Sequence, residues 1–373
     1  MNDGSVGGLI LPGGGARGAY QVGVLKALAE STPAGVNPFP VISGVSAGAI
    51  NAGVLASHAH RFPRGVERLE QFWGNFRCSH IYRTGWLHNL GTGLRWMASL
   101  GLGGLGPANP RSLLDNQPLE RLLERELRLN DIQQAIEGGH LRAIAITASG
   151  YSTNRAVSFF SGQKDLIEWD RVRRSGRRTV LTPGHLLASA ALPFIFPANK
   201  LGREYFGDGG LRLTAPLSPA IRLGADRLLV IATRDEVQDP EPVQPPAYPS
   251  LGDVGGYLLD IVFMDQLQAD LDRLERINRL LAAMDSQARE ASSLRHINAM
   301  VIRPSRDLRE IADRHKSRVP ASVRSLFRGV GAWGPGRIPS YLLFEAEFTG
   351  ELIELGYRDG REALPRFREW LGS

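Results

Sequence analysis

VGGLILPGGGARGAYQVGVLKALAE, residues 6–30, decides the fold of this chain. A short apolar run ends in Pro12, a glycine-rich turn occupies residues 13–18, and apolar side chains then recur at helical spacing. The stretch therefore predicts a buried strand, a tight turn and a helix. The backbone N–H groups of such a turn, backed by a helix N-terminus, can hold a small negative charge such as an oxyanion.

A second unit of the same kind is PVISGVSAGAINAGVLA, residues 40–56. Its strand and helix are joined by a G-x-S-x-G motif at residues 44–48, which is the nucleophile elbow pattern. That pattern predicts an exposed Ser46 side chain on a sharp turn. The alternative is a glycine- and serine-rich turn in which Ser46 only caps the helix. The alternation of strands and helices predicts an α/β fold with a mainly parallel sheet covered by helices.

A third element, Asp208-Gly209-Gly210, follows the aromatic stretch REYFG at residues 203–207. An isolated Asp-Gly pair most often forms an ordinary turn. A nucleophilic serine, however, needs a base, and its usual partner is a histidine oriented by a carboxylate. None of the eight histidines lies in a turn with an obvious catalytic context.

Composition excludes several classes of protein. The chain has 373 residues, one cysteine, no HExxH motif and a net charge of +6, so we expect no disulfide framework, no metal site and no cofactor. The second strand does not end in an acidic residue and no Gly-Lys-Ser/Thr follows the first turn, which argues against dinucleotide and P-loop sites. Within the uncharged residues 31–60, the apolar part VISGVSAGAINAGVLA is too short and too interrupted to span a membrane, and the N-terminus lacks the pattern of a signal peptide.

The ordered set GGGARG, GVSAG and DGG, with ASAALPFIFP at residues 188–197, resembles the patatin-like phospholipase family over residues 6–233. The resemblance implies a three-layer sandwich with a mainly parallel central sheet and C-terminal helical additions. It also implies a Ser46–Asp208 dyad that needs no histidine. In the turns, it assigns an oxyanion hole to Gly13, Gly14 and Gly15 with Arg17 as a buttress, and supporting roles to Gly18, Gly44, Gly48, Gly209 and Gly210.

The resemblance further implies hydrolysis of fatty acyl esters of phospholipids or lysophospholipids in a membrane or micelle, without a cofactor. We expect a cytoplasmic protein that can associate peripherally with the membrane, binds no nucleic acid and can form a homodimer. Three alternatives stay open. They are an α/β-hydrolase-type esterase with Ser46, Asp208 and either His296 or His315, a non-catalytic lipid-binding protein, and acyl transfer on the same dyad.

We expect a catalytic domain at residues 1–235, a proline-rich loop at 236–250, and a mainly helical region at 251–373 packed on the catalytic domain. Within the first domain, the apolar and glycine-rich residues 73–110 predict a lid or insert, and the alternative is a small satellite core. Further elements predicted are a helix that starts after Thr182, a long helix over 257–284 and a last strand within 297–304. The arginines between residues 171 and 178 predict either a solvated loop or a surface for anionic lipid.

Overall fold

A computed structural model of the protein describes residues 5–33, 35–101, 111–235, 266–292, 294–329 and 337–372, with isolated positions at 248, 254, 256–258, 261, 331 and 333. One sheet contains all strands of the described residues: β1 (Gly7–Leu11), β2 (Val41–Val45), β3 (Ala143–Gly150), β4 (Ala156–Gly162), β5 (Trp169–Asp170), β6 (Arg174–Arg178), β7 (Asn199–Leu201), β8 (Glu204–Asp208), β9 (Arg227–Ile231) and β10 (Asn298–Ile302).

The strand order is β10-β9-β1-β2-β3-β4-β6-β5, and β8 pairs with both β3 and β7. Strands β10, β9, β1, β2 and β3 are parallel, whereas β4 and β8 run antiparallel to β3. The central strands are short apolar runs buried along their whole length, as expected for a parallel sheet covered on both faces. The predicted mainly parallel sheet is confirmed.

Helices cover both faces of the sheet. One apolar core joins the sheet to α1, α2, α3 and α15, and a second joins the other face to α9 and α10. The helices are α1 (Gly18–Glu30), α2 (Ala47–Ser57), α3 (Phe62–Gly74), α4 (Cys78–Ile81), α5 (Trp86–Gly101), α6 (Gln117–Glu126), α7 (Asn130–Glu137), α8 (Pro183–Ser189), α9 (Ser218–Arg222), α10 (Gln266–Ala283), α11 (Ser286–Ala291), α12 (Leu308–His315), α13 (Ala321–Gly329), α14 (Arg337–Leu342) and α15 (Ala346–Gly372).

Local signals in the sequence locate several of these elements correctly. Helix α8 begins directly after Thr182, whose side chain accepts from the backbone in a capping box, and Pro183 occupies the first helical position. The long helix and the last strand predicted in the C-terminal region correspond to α10 and β10. The predicted proline-rich loop lies outside the described residues except for Tyr248.

The region predicted as a lid or insert contains a helix that the sequence analysis did not predict. Trp73 is buried at the end of α3, and residues 86–101 form helix α5. This helix is tied down by hydrogen bonds from Asn89 Nδ2 to Ser322 Oγ (3.1 Å) and from Trp96 Nε1 to the Ser112 carbonyl (3.2 Å). The long-range contacts that hold α5 are not visible in its glycine-rich sequence. Residues 102–110 lie outside the described residues.

The C-terminal region contributes directly to the sheet and its cover. Strand β10 forms the edge of the sheet next to β9, and α15 packs along α1. The Tyr20 hydroxyl donates to Asp359 Oδ2 at 2.8 Å, and both side chains are buried. The described helices include none that is both long enough and apolar enough to cross a membrane.

Candidate active site

The strand-to-helix turn at Ser46 has a strained backbone. Ser46 follows β2 with φ 55° and ψ −127°, a left-handed conformation that is uncommon for a residue with a side chain. The Ser46 carbonyl accepts from the Ala49 N–H at 2.9 Å and starts the helix, but its side chain makes no cap hydrogen bond. The hydroxyl of Ser46 is therefore left available for another partner.

Close backbone packing explains the glycines of this turn. A Cβ atom on Gly48 would lie 2.0 Å from the Leu11 carbonyl oxygen, and one on Gly44 would lie 2.4 Å from the Gly48 carbonyl oxygen. Only glycine lets the first turn of α2 approach the end of β1 this closely. The sequence predicted an exposed serine, but Ser46 is only 1% exposed, because the neighbouring segments cover the turn.

The topology of the sheet brings Asp208 to Ser46. Strand β2 pairs with β3 as far as Val45, which lies opposite Thr147. Beyond that point β8 takes the place of β2 beside β3, and Asp208 lies opposite Ala148. The chain thus leaves β2 at Ser46 just where β8 ends at Asp208, so residues 162 positions apart meet at one edge of the sheet.

The Asp208 carboxyl is fully buried and only half paired. Oδ1 accepts from the Gly210 N–H at 2.9 Å, whereas Oδ2 has no hydrogen bond of normal geometry among the described residues. Burial raises the pKa of Asp208 to about 7, and interactions with the Ser46 hydroxyl and the Gly210 N–H partly oppose that rise. The Ser46 hydroxyl is therefore near the carboxyl, without completing an ordinary hydrogen bond.

The glycine-rich turn after β1 lies beside this pair, because α1 and α2 both start at this edge of the sheet. Gly13, Gly14 and Gly15 are buried, and their N–H groups donate to no acceptor within the part of the chain that the structure describes. Gly15 has φ 55°, and a Cβ atom there would lie 2.3 Å from the Tyr341 carbonyl oxygen. Buried N–H groups without an acceptor can bind an anion.

Arg17 supports this turn from below rather than facing the site. Its guanidinium is buried and donates to Ser340 Oγ from Nε (3.0 Å) and Nη2 (2.7 Å), and it lies 4.2 Å from the ring centre of Tyr341. The Arg17 N–H also donates to the Gly14 carbonyl at 3.1 Å. Helix α14 from the C-terminal region is thus in direct contact with the turn.

The remaining motif glycines also lie in this region. Gly18 begins α1 against Ala47, and Gly209 packs on the Thr147 carbonyl of β3. Gly210 holds the Asp208 carboxylate through its N–H. Every residue that the resemblance assigned to the site therefore lies at the same edge of the sheet.

Two residues of the site were missed by the sequence analysis. The Ser189 hydroxyl accepts from the Ser46 N–H at 2.9 Å and donates to the Thr147 carbonyl at 2.7 Å, which links the elbow to α8 and β3. The Thr233 hydroxyl donates to the Gly13 carbonyl at 2.7 Å. Both are ordinary hydroxyl residues at the ends of a helix and a strand, and only the position of Ser189 inside ASAALPFIFP gave a signal.

The two histidines of the triad alternative lie elsewhere, and His185 is engaged in a helix cap. His296 is exposed and precedes β10, at the edge of the sheet opposite to Ser46. His315 Nε2 is 2.9 Å from Glu351 Oε2. His185 Nδ1 interacts with the N–H and hydroxyl of Thr182 in the capping box of α8. The described residues also contain no cluster of three or more His, Cys, Asp or Glu side chains that could hold a metal ion.

Comparison with known proteins agrees with this architecture. A profile of the patatin-like phospholipase family matches residues 9–221, which is more than half of the chain. This match defines the class of protein as a lipid acyl hydrolase. The chain belongs to the patatin-like phospholipase family.

Individual relatives match either a short stretch of the chain or most of it at low sequence identity. The chain is 52% identical over 67 residues to Lysophospholipase nte1 of Aspergillus terreus, a match that covers 18% of this chain and 4% of that protein. Among solved structures, it is similar to VipD from Legionella pneumophila (13% identity, TM-score 0.39, covering 97% of this chain and 67% of that one). It is also similar to human GIVD cytosolic phospholipase A2, solved in complex with methyl gamma-linolenyl fluorophosphonate. That match has 15% identity and a TM-score of 0.44, and it covers 98% of this chain and 59% of that one.

Proposed function

We propose that the protein is a serine lipid acyl hydrolase that cleaves fatty acyl esters of phospholipids or lysophospholipids. Family membership supports the class of reaction. The observation that carries the proposal is the buried Asp208 carboxyl, with one unpaired oxygen and a pKa of about 7, beside a strained Ser46. A base with a pKa near the working pH is well matched to proton transfer.

In the proposed first step, Asp208 accepts the hydroxyl proton of Ser46 while Oγ attacks the ester carbonyl carbon. The carbonyl oxygen becomes an oxyanion, which the N–H groups of Gly13, Gly14 and Gly15 stabilise. Such preorganised donors are usually the largest contribution to catalysis in acyl transfer. The intermediate then collapses, the C–O bond of the ester breaks, and Asp208 gives the proton to the leaving alcohol, which is a lysolipid or a glycerol derivative.

In the second step, Asp208 takes a proton from water, and the resulting hydroxide attacks the acyl-serine. Collapse of this intermediate releases the fatty acid and returns the proton to Ser46 Oγ. Both steps use one carboxylate as base and then acid, so no histidine is required. The positions of His185, His296 and His315 give the triad alternative no support.

The function is tested by incubating the protein with a mixed lipid extract and identifying released fatty acids and lysolipids by mass spectrometry. A fluorophosphonate probe should label the protein, and Ser46→Ala should abolish both labelling and release. Ser286→Ala is a matched control, because Ser286 is exposed at the start of α11. Labelling that survives Ser46→Ala would contradict the proposal by pointing to another nucleophile. An extract left unchanged by the wild-type protein would contradict it in favour of a non-catalytic lipid-binding protein.

A further inference from the structure

The β5–β6 hairpin exposes an apolar side chain between arginines. Its turn is formed by Val172 and Arg173, and the Arg171 N–H donates to the Arg174 carbonyl at 2.8 Å. Val172 is 87% exposed, and Arg171 and Arg173 are also exposed. At this exposure Val172 contributes little to packing within the fold, and the exposed arginines on either side flank an apolar side chain with positive charge.

The hairpin tip lies at the same edge of the sheet as the candidate active site. Asp208 is opposite Ala148 of β3, Ala148 is opposite Val157 of β4, and Val157 is opposite Ser175 of β6. The turn before Ser175 therefore points out of the edge where β2 ends. Three strand spacings of about 4.8 Å place the hairpin on the order of 14 Å to the side of Asp208.

The arginines of this segment divide into two groups. Arg177 pairs with Asp170 at 2.8 Å, and Arg178 donates to backbone carbonyls, including that of Gly162 at 2.7 Å. In contrast, the guanidinium groups of Arg171 and Arg173 make no hydrogen bond or ion pair with any of the described residues. Their positive charges are thus not neutralised within the described part of the fold.

Arg222, at the end of α9, adds to this charge. Burial, followed by the nearby charges of Arg171 and Arg174, lowers the pKa of Arg222. Arg174 differs from its neighbours because it also lies near the carboxylate of Asp270. The basic cluster therefore extends from the hairpin tip onto the adjacent helix.

A second hairpin projects from the same edge. Phe206 of β8 is opposite Gly150, the last residue of β3, so the β7–β8 turn extends beyond the end of β3. This turn exposes Arg203, and Tyr205, two residues on, is 49% exposed. The carboxylate of Glu204 between them is turned to the chain and accepts from the N–H groups of Ser152 and Thr153. Tyrosine and arginine are both well suited to the boundary between water and lipid.

We propose that these two hairpin tips, Arg171–Arg173 and Arg203–Tyr205, form a basic rim that docks the protein on an anionic bilayer. The arginines would contact lipid phosphates, and Val172 would enter the headgroup region. The inference rests on the proposed function, since docking through this rim brings the edge that carries Ser46 to the membrane surface, where acyl esters are located.

The test measures binding rather than hydrolysis. Ser46→Ala protein is sedimented with vesicles of phosphatidylcholine alone or with one quarter phosphatidylglycerol, at low and at raised salt. Arg171→Gln with Arg173→Gln should weaken binding to the anionic vesicles about 30-fold, because each arginine near such a surface contributes roughly fivefold. Val172→Asp should also weaken binding to the anionic vesicles. Raised salt should weaken the binding of protein that has no change in the rim.

Arg276→Gln with Arg279→Gln provides a control with the same change in charge. Both residues are exposed on α10, whose Asn278 bonds to Ile297 ahead of β10, at the opposite edge of the sheet. This control should bind vesicles normally. Equal weakening in the control and rim variants, or equal binding to neutral and anionic vesicles, would overturn the proposal.

The two proposals fail in different ways. Anionic vesicle binding that depends on the rim, without any release of fatty acid by the wild-type protein, would refute the function and leave the rim standing. If the protein hydrolyses lipid and the rim variants bind vesicles as tightly as the unaltered rim does, the docking proposal fails and the proposed function stands. If the double arginine variant does not fold, Val172→Asp provides the same readout, because the side chain it replaces is exposed.

Discussion

The buried guanidinium of Arg17 donates two hydrogen bonds to the hydroxyl of Ser340, 323 residues further along the chain. This contact joins the glycine-rich turn after β1 to helix α14 of the C-terminal region. Gly15 lies against the Tyr341 carbonyl in the same place. The C-terminal region thus shapes the turn that we propose as the oxyanion hole, and it is more than an addition to the catalytic domain.

Ser340→Ala should lower kcat more than it raises KM. The change removes an acceptor from a buried cation, which costs about 1–3 kcal/mol of stability and loosens the turn that holds the transition state. Thermal unfolding and steady-state kinetics with a soluble ester measure the two effects. Ser286→Ala controls for loss of a serine. A destabilised variant with an unchanged kcat would show that the contact is only structural.

Gly48→Ala should prevent folding or abolish solubility. A methyl group at Gly48 would lie 2.0 Å from a backbone oxygen that has no freedom to move, whereas nothing lies within 4 Å of a methyl group at Gly350. Gly350→Ala in α15 is therefore the control, and it should be neutral or stabilising by up to about 1 kcal/mol. Normal solubility and melting of Gly48→Ala would contradict the close packing of β1 against α2.

The pKa of Asp208 predicts a pH dependence of stability. Its folded pKa of about 7 lies above the ordinary value of 3.8, so the folded state binds more protons than the unfolded state between these values. The free energy of unfolding should therefore fall as pH rises from about 4 to 7, by on the order of 4 kcal/mol at 1.36 kcal/mol per unit.

Asp208→Asn should remove this decrease, because asparagine keeps the acceptor for the Gly210 N–H but does not ionise. Chemical denaturation at pH 4.5 and pH 8 measures the difference. The variant should be more stable than the wild-type protein at pH 8, with a smaller gap at pH 4.5. Equal stabilities at both pH values would show that the buried carboxyl does not carry the pKa assigned to it.

Turnover of a soluble ester should rise with pH and level off above pH 7. Only ionised Asp208 can accept the Ser46 proton, so kcat/KM should fall about tenfold per pH unit below its pKa. A profile measured from pH 5 to 9 tests this expectation. Turnover that stays constant down to pH 5 would contradict a base with a pKa of about 7.

The elements predicted well from sequence were those with local signals. The strand, turn and helix at residues 6–30 and the elbow at Ser46 depend on neighbouring residues, and both are present in the structure. Helix α5 was not predicted, because its sequence is rich in glycine and its anchors at Ser112 and Ser322 are distant in sequence.

The arrangement of the site depends on long-range pairing. Asp208 reaches Ser46 only because β8 replaces β2 beside β3, and no local pattern encodes that exchange. The resemblance named the pair, and the structure brings the two residues together, while their catalytic roles stay a prediction. Ser189 and Thr233 were missed because a hydroxyl at the end of an element has no distinctive pattern.

The central claim is that Asp208, and no histidine, activates Ser46. The direct measurement compares turnover of an activated ester by Asp208→Asn with that of His185→Ala, His296→Ala and His315→Ala, each shown to be folded, with Ser46→Ala as the baseline. We predict that Asp208→Asn falls by orders of magnitude towards that baseline, because nucleophile and base act as a unit, while the three histidine variants retain near-normal turnover. A folded histidine variant as inactive as Ser46→Ala would contradict the dyad and establish a triad instead.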